Sequence, residues 1–213
     1  MAARGGLSRP EMSARQVRRM LDDPKAAALG TRFAAQWLRL QDLTKVEPDA
    51  LSFPYFDESL ADAMTRETEL LFNHLVREDR PATELLTADY TFVNERLARH
   101  YGIPGVSGPE FRKVAYPDEH RRGLLGHGSV LTLTSHGNRT SPVLRGKWVM
   151  EVLLGSPPPA PPPNVPQLDA TAATSGGRNL SVAEQMAQHR ASPVCSSCHN
   201  VIDPIGLSLD NFD

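Results

Sequence analysis

Near its end, the sequence reads Cys195-Ser-Ser-Cys-His199, and this short stretch contains both cysteines of the 213-residue chain. Positions i, i+3 and i+4 share one face of a helix, so the spacing predicts that two thiols and an imidazole converge from one helical turn. Cys-x-x-Cys-His is the pattern of covalent haem attachment, in which the thiols hold the porphyrin and the histidine binds iron. We therefore predict that Cys195 and Cys198 bind haem c and that His199 is the proximal ligand of its iron.

Three other chemistries use such a cysteine pair. A thioredoxin-like redox centre belongs in a βαβ context, which the sequence does not show. A structural zinc site takes four ligands, and His189 with His199 would complete one only with strained geometry. A plain disulfide across two intervening residues closes a tight ring. Covalent haem needs neither a further ligand nor a strained ring and is therefore the leading interpretation.

The sixth ligand of the iron is harder to assign. Only fourteen residues follow His199, and none of them is Met or His. The upstream candidates in this chain are His127, His136, Met150, Met186 and His189. Met186 and His189 lead directly into the motif, which favours the proximal side of the haem. We therefore favour His136 among them, with a ligand from outside this chain and an open position as alternatives.

Arginines surround His136 in the sequence. They are Arg121, Arg122, Arg139 and Arg145. We expect them on a solvated surface. The alternative is that one or two pair with haem propionates, because a guanidinium holds a carboxylate through two hydrogen bonds.

The segment before the motif is expected to combine a linker with a short helix. Seven of the ten residues in 157–166 are proline, which predicts a stiff polyproline II spacer, with a docking site for a proline-recognition domain as the alternative. A mobile loop is expected over 171–178, so that 157–178 forms a proline-rich and flexible linker. Ser181-Val-Ala-Glu184 is a capping box and predicts a helix that Pro193 ends.

Hydrophobic spacing in the first half predicts successive helices. Ser8-Arg-Pro-Glu11 has the form of a capping box, and Asp22-Asp-Pro24 should end that helix and start the next. Asp57 can cap a third helix, and a fourth should carry Val93, Leu97 and Tyr101 and end at Gly102. The apolar stripes of the second and third helices are Leu29, Phe33, Trp37, Leu40, Leu60, Met64, Leu71 and Leu75.

Glycines and prolines over 102–109 indicate a domain boundary. We expect a helical domain at 1–108 and a haem c-binding domain at 109–213. Within the second, 111–116 is predicted as a short strand, 123–135 fits a strand or a buried helix, and 142–154 is predicted as a helix. The expected fold class is mainly α: a helical module followed by a cytochrome c-like haem-bearing module with a proline-rich linker.

Composition and charge narrow the functional classes. A formal net charge of -2 gives no argument for nucleic-acid binding, and no stretch approaches the roughly 18 apolar residues of a membrane span. The first thirty residues lack the apolar core of a signal peptide. Because c-type haem is attached outside the cytoplasmic membrane, we expect this chain to be a fragment of a longer exported protein.

Further motifs flank the haem pattern. The N-terminal ones are Arg19-Met-Leu-Asp-Asp-Pro24, Phe33-Ala-Ala-Gln-Trp37, Phe53-Pro-Tyr-Phe-Asp57 and Asp89-Tyr-Thr-Phe-Val-Asn-Glu-Arg-Leu97. The C-terminal ones are Arg122-Gly-Leu-Leu125, Gly128-Ser-Val-Leu-Thr132, Arg139-Thr-Ser-Pro-Val143, Arg145-Gly-Lys-Trp148, Asp203-Pro-Ile-Gly206 and Asp210-Asn-Phe-Asp213. With these, nearly the whole chain resembles the planctomycete-type cytochrome c proteins, large exported bacterial proteins built from consecutive domains of uncharacterised function. The resemblance implies a haem site and further domains on both sides, without a settled reaction.

The leading functional interpretation is electron transfer through one covalently bound haem c, within a larger exported, periplasmic cytochrome. Redox proteins and further domains of the same chain are the expected partners, with no nucleic acid and no membrane span in this fragment. One alternative is a haem-dependent oxidoreductase or peroxidase, which needs an open sixth position and a distal acid or base. Another is a structural or polysaccharide-associated exported protein. The sequence leaves open whether the chain is part of an enzyme.

Overall fold

A computed structural model describes residues 5–160, 174–175 and 178–212. Helices dominate these residues, and the strands among them form three short two-stranded pairs. The expectation of a mainly α fold is therefore confirmed in the secondary structure. Two compact units divide the chain, one of Met1–Val46 with Tyr55–Val130 and one of Glu47–Pro54 with Leu131–Asp213. The domain boundary at residue 108 stays a prediction, since these units group residues by contact alone.

The first unit is built around one long helix, α3. Its helices are α1 (Pro10–Leu21), α2 (Ala35–Trp37), α3 (Glu58–Arg77), α4 (Glu84–Thr87) and α5 (Glu95–Tyr101). Its strands are β1 (Tyr90–Val93) and β2 (Arg112–Ala115). Turns of 3-10 helix cover Gly6–Ser8, Pro24–Ala27, Leu40–Lys45 and Leu124–Gly126, and a π-helical turn covers Leu29–Ala34.

Helix α3 begins where its capping residue predicts. The Asp57 carboxylate accepts a hydrogen bond of 2.8 Å from the backbone N–H of Leu60, which satisfies one of the free donors of the first turn. The apolar stripe of α3 is buried as expected, from Leu60 through Met64 and Leu71 to Leu75. Since that spacing follows the helical repeat, α3 forms the centre of the first unit's core.

Two polar residues also occupy the buried face of α3. Glu67 is fully buried and accepts hydrogen bonds from the hydroxyls of Thr91 and Tyr101. Thr68 Oγ1 lies 2.8 Å from Nδ1 of His127, which is also fully buried. The Nε2 of His127 lies 3.9 Å from a Glu67 oxygen. The core of the first unit therefore contains a polar cluster, which the spacing of apolar residues in the sequence does not predict.

Strands β1 and β2 pair antiparallel beside α5. Tyr90 lies opposite Ala115, and Val93 lies opposite Arg112, so the strand predicted at 111–116 is confirmed. Helix α5 is capped by the Asn94 side chain and ends at Gly102, whose φ of 69° lies in the left-handed region that suits glycine. The prediction that Val93 belongs to this helix is wrong. Val93 is the last residue of β1, and the helix begins only after its N-cap, Asn94.

The second unit carries the haem motif. It contains strands β3 (Ser135–His136), β4 (Arg139–Thr140), β5 (Thr174–Ser175) and β6 (Arg178–Asn179). Its helices are α7 (Pro142–Trp148), α8 (Val182–Arg190) and α9 (Pro193–Leu207), with a π-helical turn at Val149–Leu153 and a 3-10 turn at Asp210–Phe212. The capping box predicted at the start of α8 is present, with Ser181 and Glu184 bonded to each other's backbone N–H.

Glycines let α7 and α9 approach each other closely. A Cβ on Gly146 would collide with the carbonyl oxygen of Ile202, and one on Gly206 would collide with that of Pro142. Arg145, almost fully buried, donates to the carbonyl oxygens of Leu209 at 2.7 Å and Phe212 at 3.2 Å. Backbone contact and a buried guanidinium therefore hold the motif helix in place.

Several local predictions need correction. The capping box at Ser8 is wrong, because Arg9 is the N-cap of α1 without a side-chain hydrogen bond. Pro193 does not end α8, which stops at Arg190; it is the first residue of α9, where its missing N–H costs nothing. The ambiguous stretch 123–135 resolves as helix, with α6 at Gly128–Leu133 after the 3-10 turn.

The linker is described only in part. Residues 157–160 have no regular hydrogen-bonded structure, and 161–166 of the proposed polyproline spacer lie outside the described residues. Within the expected loop at 171–178, the backbone pairs Thr174 with Asn179 and Ser175 with Arg178. The loop prediction therefore misses a short antiparallel pair, and its other residues lie outside the described part.

Candidate functional site

Helix α9 presents the three motif residues. The helix begins at Pro193 and runs through Leu207, so Cys195, Cys198 and His199 lie on its first two turns at the i, i+3 and i+4 positions that share one face. Both cysteines are free thiols, and all three side chains are partly exposed. The helical placement expected from the spacing is therefore found. Neither thiol is consumed in a disulfide.

His199 is held by a buried carboxylate. Its Nδ1 lies 2.8 Å from Oδ1 of Asp203, whose side chain is fully buried. The second carboxylate oxygen of Asp203 accepts a hydrogen bond of 2.6 Å from Arg190. Because an ionised carboxylate only accepts hydrogen bonds, the proton of the ring lies on Nδ1. The Nε2 lone pair is then left for a metal ligand bond.

This arrangement differs from the one expected from the sequence. Since a proline usually ends or kinks a helix, Asp203-Pro204 predicts the end of the turn, with a nearby backbone carbonyl accepting from Nδ1. Helix α9 instead continues through Pro204 to Leu207, and the side chain of Asp203 takes the ring proton. The i, i+4 spacing of His199 and Asp203 on a continuous helix is the physical reason. The contact of Arg190 with Asp203 could not be predicted from the local sequence, because Arg190 lies on a different helix, α8.

Two of the sixth-ligand candidates lie close to the motif. The rings of His189 and His199 pack edge-on, with centroids 4.8 Å apart. Burial and the nearby His199 lower the pKa of His189. A distal ligand has the porphyrin between its ring and that of His199, so His189 as a sixth ligand stays a prediction. Met186 is buried in the unit's core, 1% exposed.

Two further candidates differ in exposure. His136 is exposed on the β3–β4 hairpin, and its role as sixth ligand stays a prediction. His127 is buried in the first unit, where burial lowers its pKa to about 3. The prediction of a solvated surface is wrong for Arg145, which is buried and donates hydrogen bonds to backbone carbonyl oxygens. The Arg121 guanidinium lies over the Tyr101 ring, 4.3 Å from its centroid.

The residues present fit a covalently attached haem. A metal-binding histidine commonly donates its other ring N–H to a carboxylate, which fixes its tautomer and orientation, and His199 with Asp203 has this form. Val194 and Val201 flank Cys198 at i−4 and i+3 and are 62% and 53% exposed. Such apolar surface beside a thiol suits the flat face of a porphyrin. Among the described residues, those of the motif included, no group of three or more His, Cys, Asp or Glu is arranged to hold a metal ion by itself.

Comparison with protein-family models gives two matches. Residues 1–103 match PSD4, a protein of unknown function (DUF1592), and residues 121–213 match PSCyt3, a protein of unknown function (DUF1588). Neither the curated proteins nor the solved structures gave a match. In the described part of the chain, no helix combines the length and the hydropathy needed to cross a bilayer. The chain therefore carries a DUF1592 domain followed by a DUF1588 domain, of the PSD4 and PSCyt3 families named for planctomycete cytochrome c domains.

Proposed function

We propose that the second unit holds one covalently attached haem c and that its function is electron transfer within a larger exported bacterial protein. The observation that carries this proposal is the pair of free thiols sharing a helix face with a histidine whose Nδ1 is already bonded to Asp203. Periplasmic redox proteins are the partners we propose, because haem of this type is attached outside the cytoplasm. The cytochrome names of the two families support the same direction.

Each motif residue has a distinct role in this proposal. The thiols of Cys195 and Cys198 would each hold the haem through one S–C bond to a vinyl carbon, with the thiol hydrogen passing to the neighbouring carbon, so that no oxidant would be needed. His199 binds iron through Nε2 as the proximal ligand. Haem, once bound, supplies a centre that gains and loses one electron. The chain's own residues fix its position and exclude water from one face.

Apolar side chains next to the motif would exclude that water. Val194 and Val201 lie on the exposed face of α9 together with Cys198. Covering them removes apolar area from water, which stabilises the attached form by about 25 cal/mol for each Å² buried. Replacing Val201 with Asn should therefore leave the thioethers intact and make the haem more exposed to solvent.

The proposal is tested with the full chain exported through a signal peptide in cells that mature c-type cytochromes. Visible spectra of the purified protein are recorded after oxidation and after reduction. We expect sharp, fully reversible spectral changes and a haem content near one per chain, which Cys195→Ser or Cys198→Ser reduces and the matched Ser196→Ala does not. A protein that carries haem but does not cycle between the two states would contradict electron transfer.

The same spectra address the sixth ligand. His136→Ala is the informative variant, because His136 is the exposed histidine we favour for the distal side. If it binds the iron, its removal should convert a low-spin spectrum to high spin and open the site to peroxide. An unchanged spectrum would remove His136 from the site. His189→Ala is the reference for a histidine that packs against His199.

A further inference from the structure

The carboxylate of Asp203 has a position that haem attachment alone does not require. It is fully buried, yet it bonds Nδ1 of His199 at 2.8 Å with one oxygen and Arg190 at 2.6 Å with the other. A backbone carbonyl would fix the tautomer of the ring equally well, without a charge. The structure instead places an anion on the ring of the iron ligand.

A buried, charge-assisted hydrogen bond acts on the electronic character of the imidazole. Hydrogen bonds to an ionised partner are shorter and about twice as strong as neutral ones, and low local polarity strengthens them further. A carboxylate that pulls on the Nδ1 proton leaves more electron density on Nε2. The ring thereby approaches the character of an imidazolate, a stronger donor to a metal.

The carboxylate is also held against rotation. Arg190 is only 27% exposed, and its guanidinium bonds the oxygen of Asp203 that His199 does not use. The ring of His189 packs edge-on against His199 at 4.8 Å, which limits rotation of the imidazole about its side-chain bonds. The four side chains come from two helices, two from α8 and two from α9, so their geometry depends on the packing of this unit.

We propose that Asp203 is a positioning residue that directs Nε2 of His199 to the iron and lowers the reduction potential of the haem. The inference rests on the proposed function, because it concerns the same site. Greater electron donation from Nε2 stabilises the oxidised iron, which carries the larger positive charge, relative to the reduced iron. The site is thereby set as an electron donor at the low end of the range open to a histidine-bound haem.

Two readouts on the full chain test this inference, one without haem and one with it. In protein made without haem maturation, ¹⁵N NMR reports which ring nitrogen of His199 carries the proton. In the matured protein, redox titration reports the potential. The variants are Asp203→Asn, which keeps an oxygen acceptor but removes the charge, and Asp210→Asn, the same change at an exposed position after α9.

The wild-type chain is expected to hold the proton on Nδ1 of His199. In Asp203→Asn the amide oxygen should turn to Arg190, which can only donate. The amide NH2 then faces Nδ1 of His199, so the NMR signals should show loss of that single tautomer. The oxidised-to-reduced equilibrium should shift about tenfold toward reduced iron, about 59 mV upward for a one-electron couple. Asp210→Asn should leave both readouts unchanged. Identical behaviour of the two asparagine variants would overturn the inference.

Arg190→Gln provides an independent test, because it should change the reduction potential in the opposite direction. Losing the guanidinium removes a positive charge near the iron and leaves the carboxylate freer to attract the Nδ1 proton, so the potential should fall instead of rising. A rise in both Arg190→Gln and Asp203→Asn would indicate general loosening of the site and overturn the inference. If the wild-type chain never acquires haem, the proposed function fails, while the NMR readout still decides whether Asp203 orients His199.

Discussion

Glu67 occupies a core position of α3, where its side-chain hydrogen bonds come from neutral hydroxyls. Its partners are the hydroxyls of Thr91 and Tyr101, and His127 stands 3.9 Å away. Burial raises the pKa of Glu67 to about 7 and lowers that of His127 to about 3. Both shifts favour the neutral form, because a charge in an apolar interior lacks the solvation that water provides.

The raised pKa of Glu67 predicts a stability change of definite sign. The folded state keeps this proton up to about pH 7, whereas the unfolded state releases it near pH 4.5. The stabilisation is therefore complete below pH 4.5 and lost as the pH rises through 7. The unfolding free energy of wild type minus that of Glu67→Gln should fall by about 3 kcal/mol over this range, measured by urea denaturation of the first unit's transition.

The difference between variants is needed because His127 acts in the opposite direction. Its lowered pKa makes the folded state gain stability as the pH rises from about 3 to 6.5. In wild type the two slopes nearly cancel between about pH 4.5 and 6.5. Exposed Glu78→Gln on the end of the same helix is the matched reference. A constant difference between wild type and Glu67→Gln would contradict the buried, protonated carboxylate.

At the scale of single residues, the sequence predicts sites whose residues lie close together in the chain. Cys195, Cys198 and His199 are recognisable because their spacing alone carries the chemistry. The cluster of Glu67 and His127 is not, because its members lie far apart in the chain. Glu67 and Thr68 do fall on the helical repeat of the α3 stripe, and that placement of polar residues was the one available signal.

Among the elements, α9 shows where a local rule was overridden. A proline inside a helix removes one backbone hydrogen bond and usually ends or kinks it, so Pro204 argued for a stop. The helix continues because α7 packs against it through Gly146 and Gly206, and because Arg145 satisfies carbonyls beyond its end. The charge of Arg145 argued for solvent, yet its donors are used inside the unit.

The close approach of α7 and α9 predicts a cost for a single methyl group. In Gly206→Ala the new Cβ meets the carbonyl oxygen and Cα of Pro142, and backbone atoms cannot move aside without separating the helices. We expect the second unit to lose about 2–3 kcal/mol of unfolding free energy, measured by thermal or urea denaturation. Ser197→Ala, exposed on the same helix, should change it little. A Gly206→Ala protein as stable as wild type would contradict the helix contact.

The capping box of α8 supports the residue that contacts Asp203. The Ser181 hydroxyl accepts from the N–H of Glu184 at 3.3 Å, and the Glu184 carboxylate accepts from the N–H of Ser181 at 2.8 Å. Ser181→Ala should lower the stability of the unit by about 1 kcal/mol, while Ser181→Asp keeps a capping oxygen and should lose little. Circular dichroism during urea denaturation measures both. Equal losses in the two variants would show that the cap is not the cause.

For the whole molecule, composition and periodicity predicted the mainly α fold, and the domain boundary at residue 108 stays a prediction. Boundaries drawn from glycines and prolines, as at residues 102–109, reflect local chain chemistry. Contacts group residues through packing instead, and they assign Glu47–Pro54 to the second unit although it lies between segments of the first. This assignment depends on long-range backbone contacts that no sequence pattern predicts. In one of them the N–H of Asp49 donates to the carbonyl oxygen of Gly137 at 2.7 Å.

The covalent bond to haem is tested most directly on a denaturing gel. The full chain, exported and matured with c-type machinery, is boiled in detergent, separated and stained for haem. Because thioether bonds survive unfolding whereas iron ligation through His199 does not, we expect a haem-stained band at the size of the chain. The double variant Cys195→Ser with Cys198→Ser should run at the same size without stain. A wild-type band without haem would contradict covalent attachment at Cys195 and Cys198.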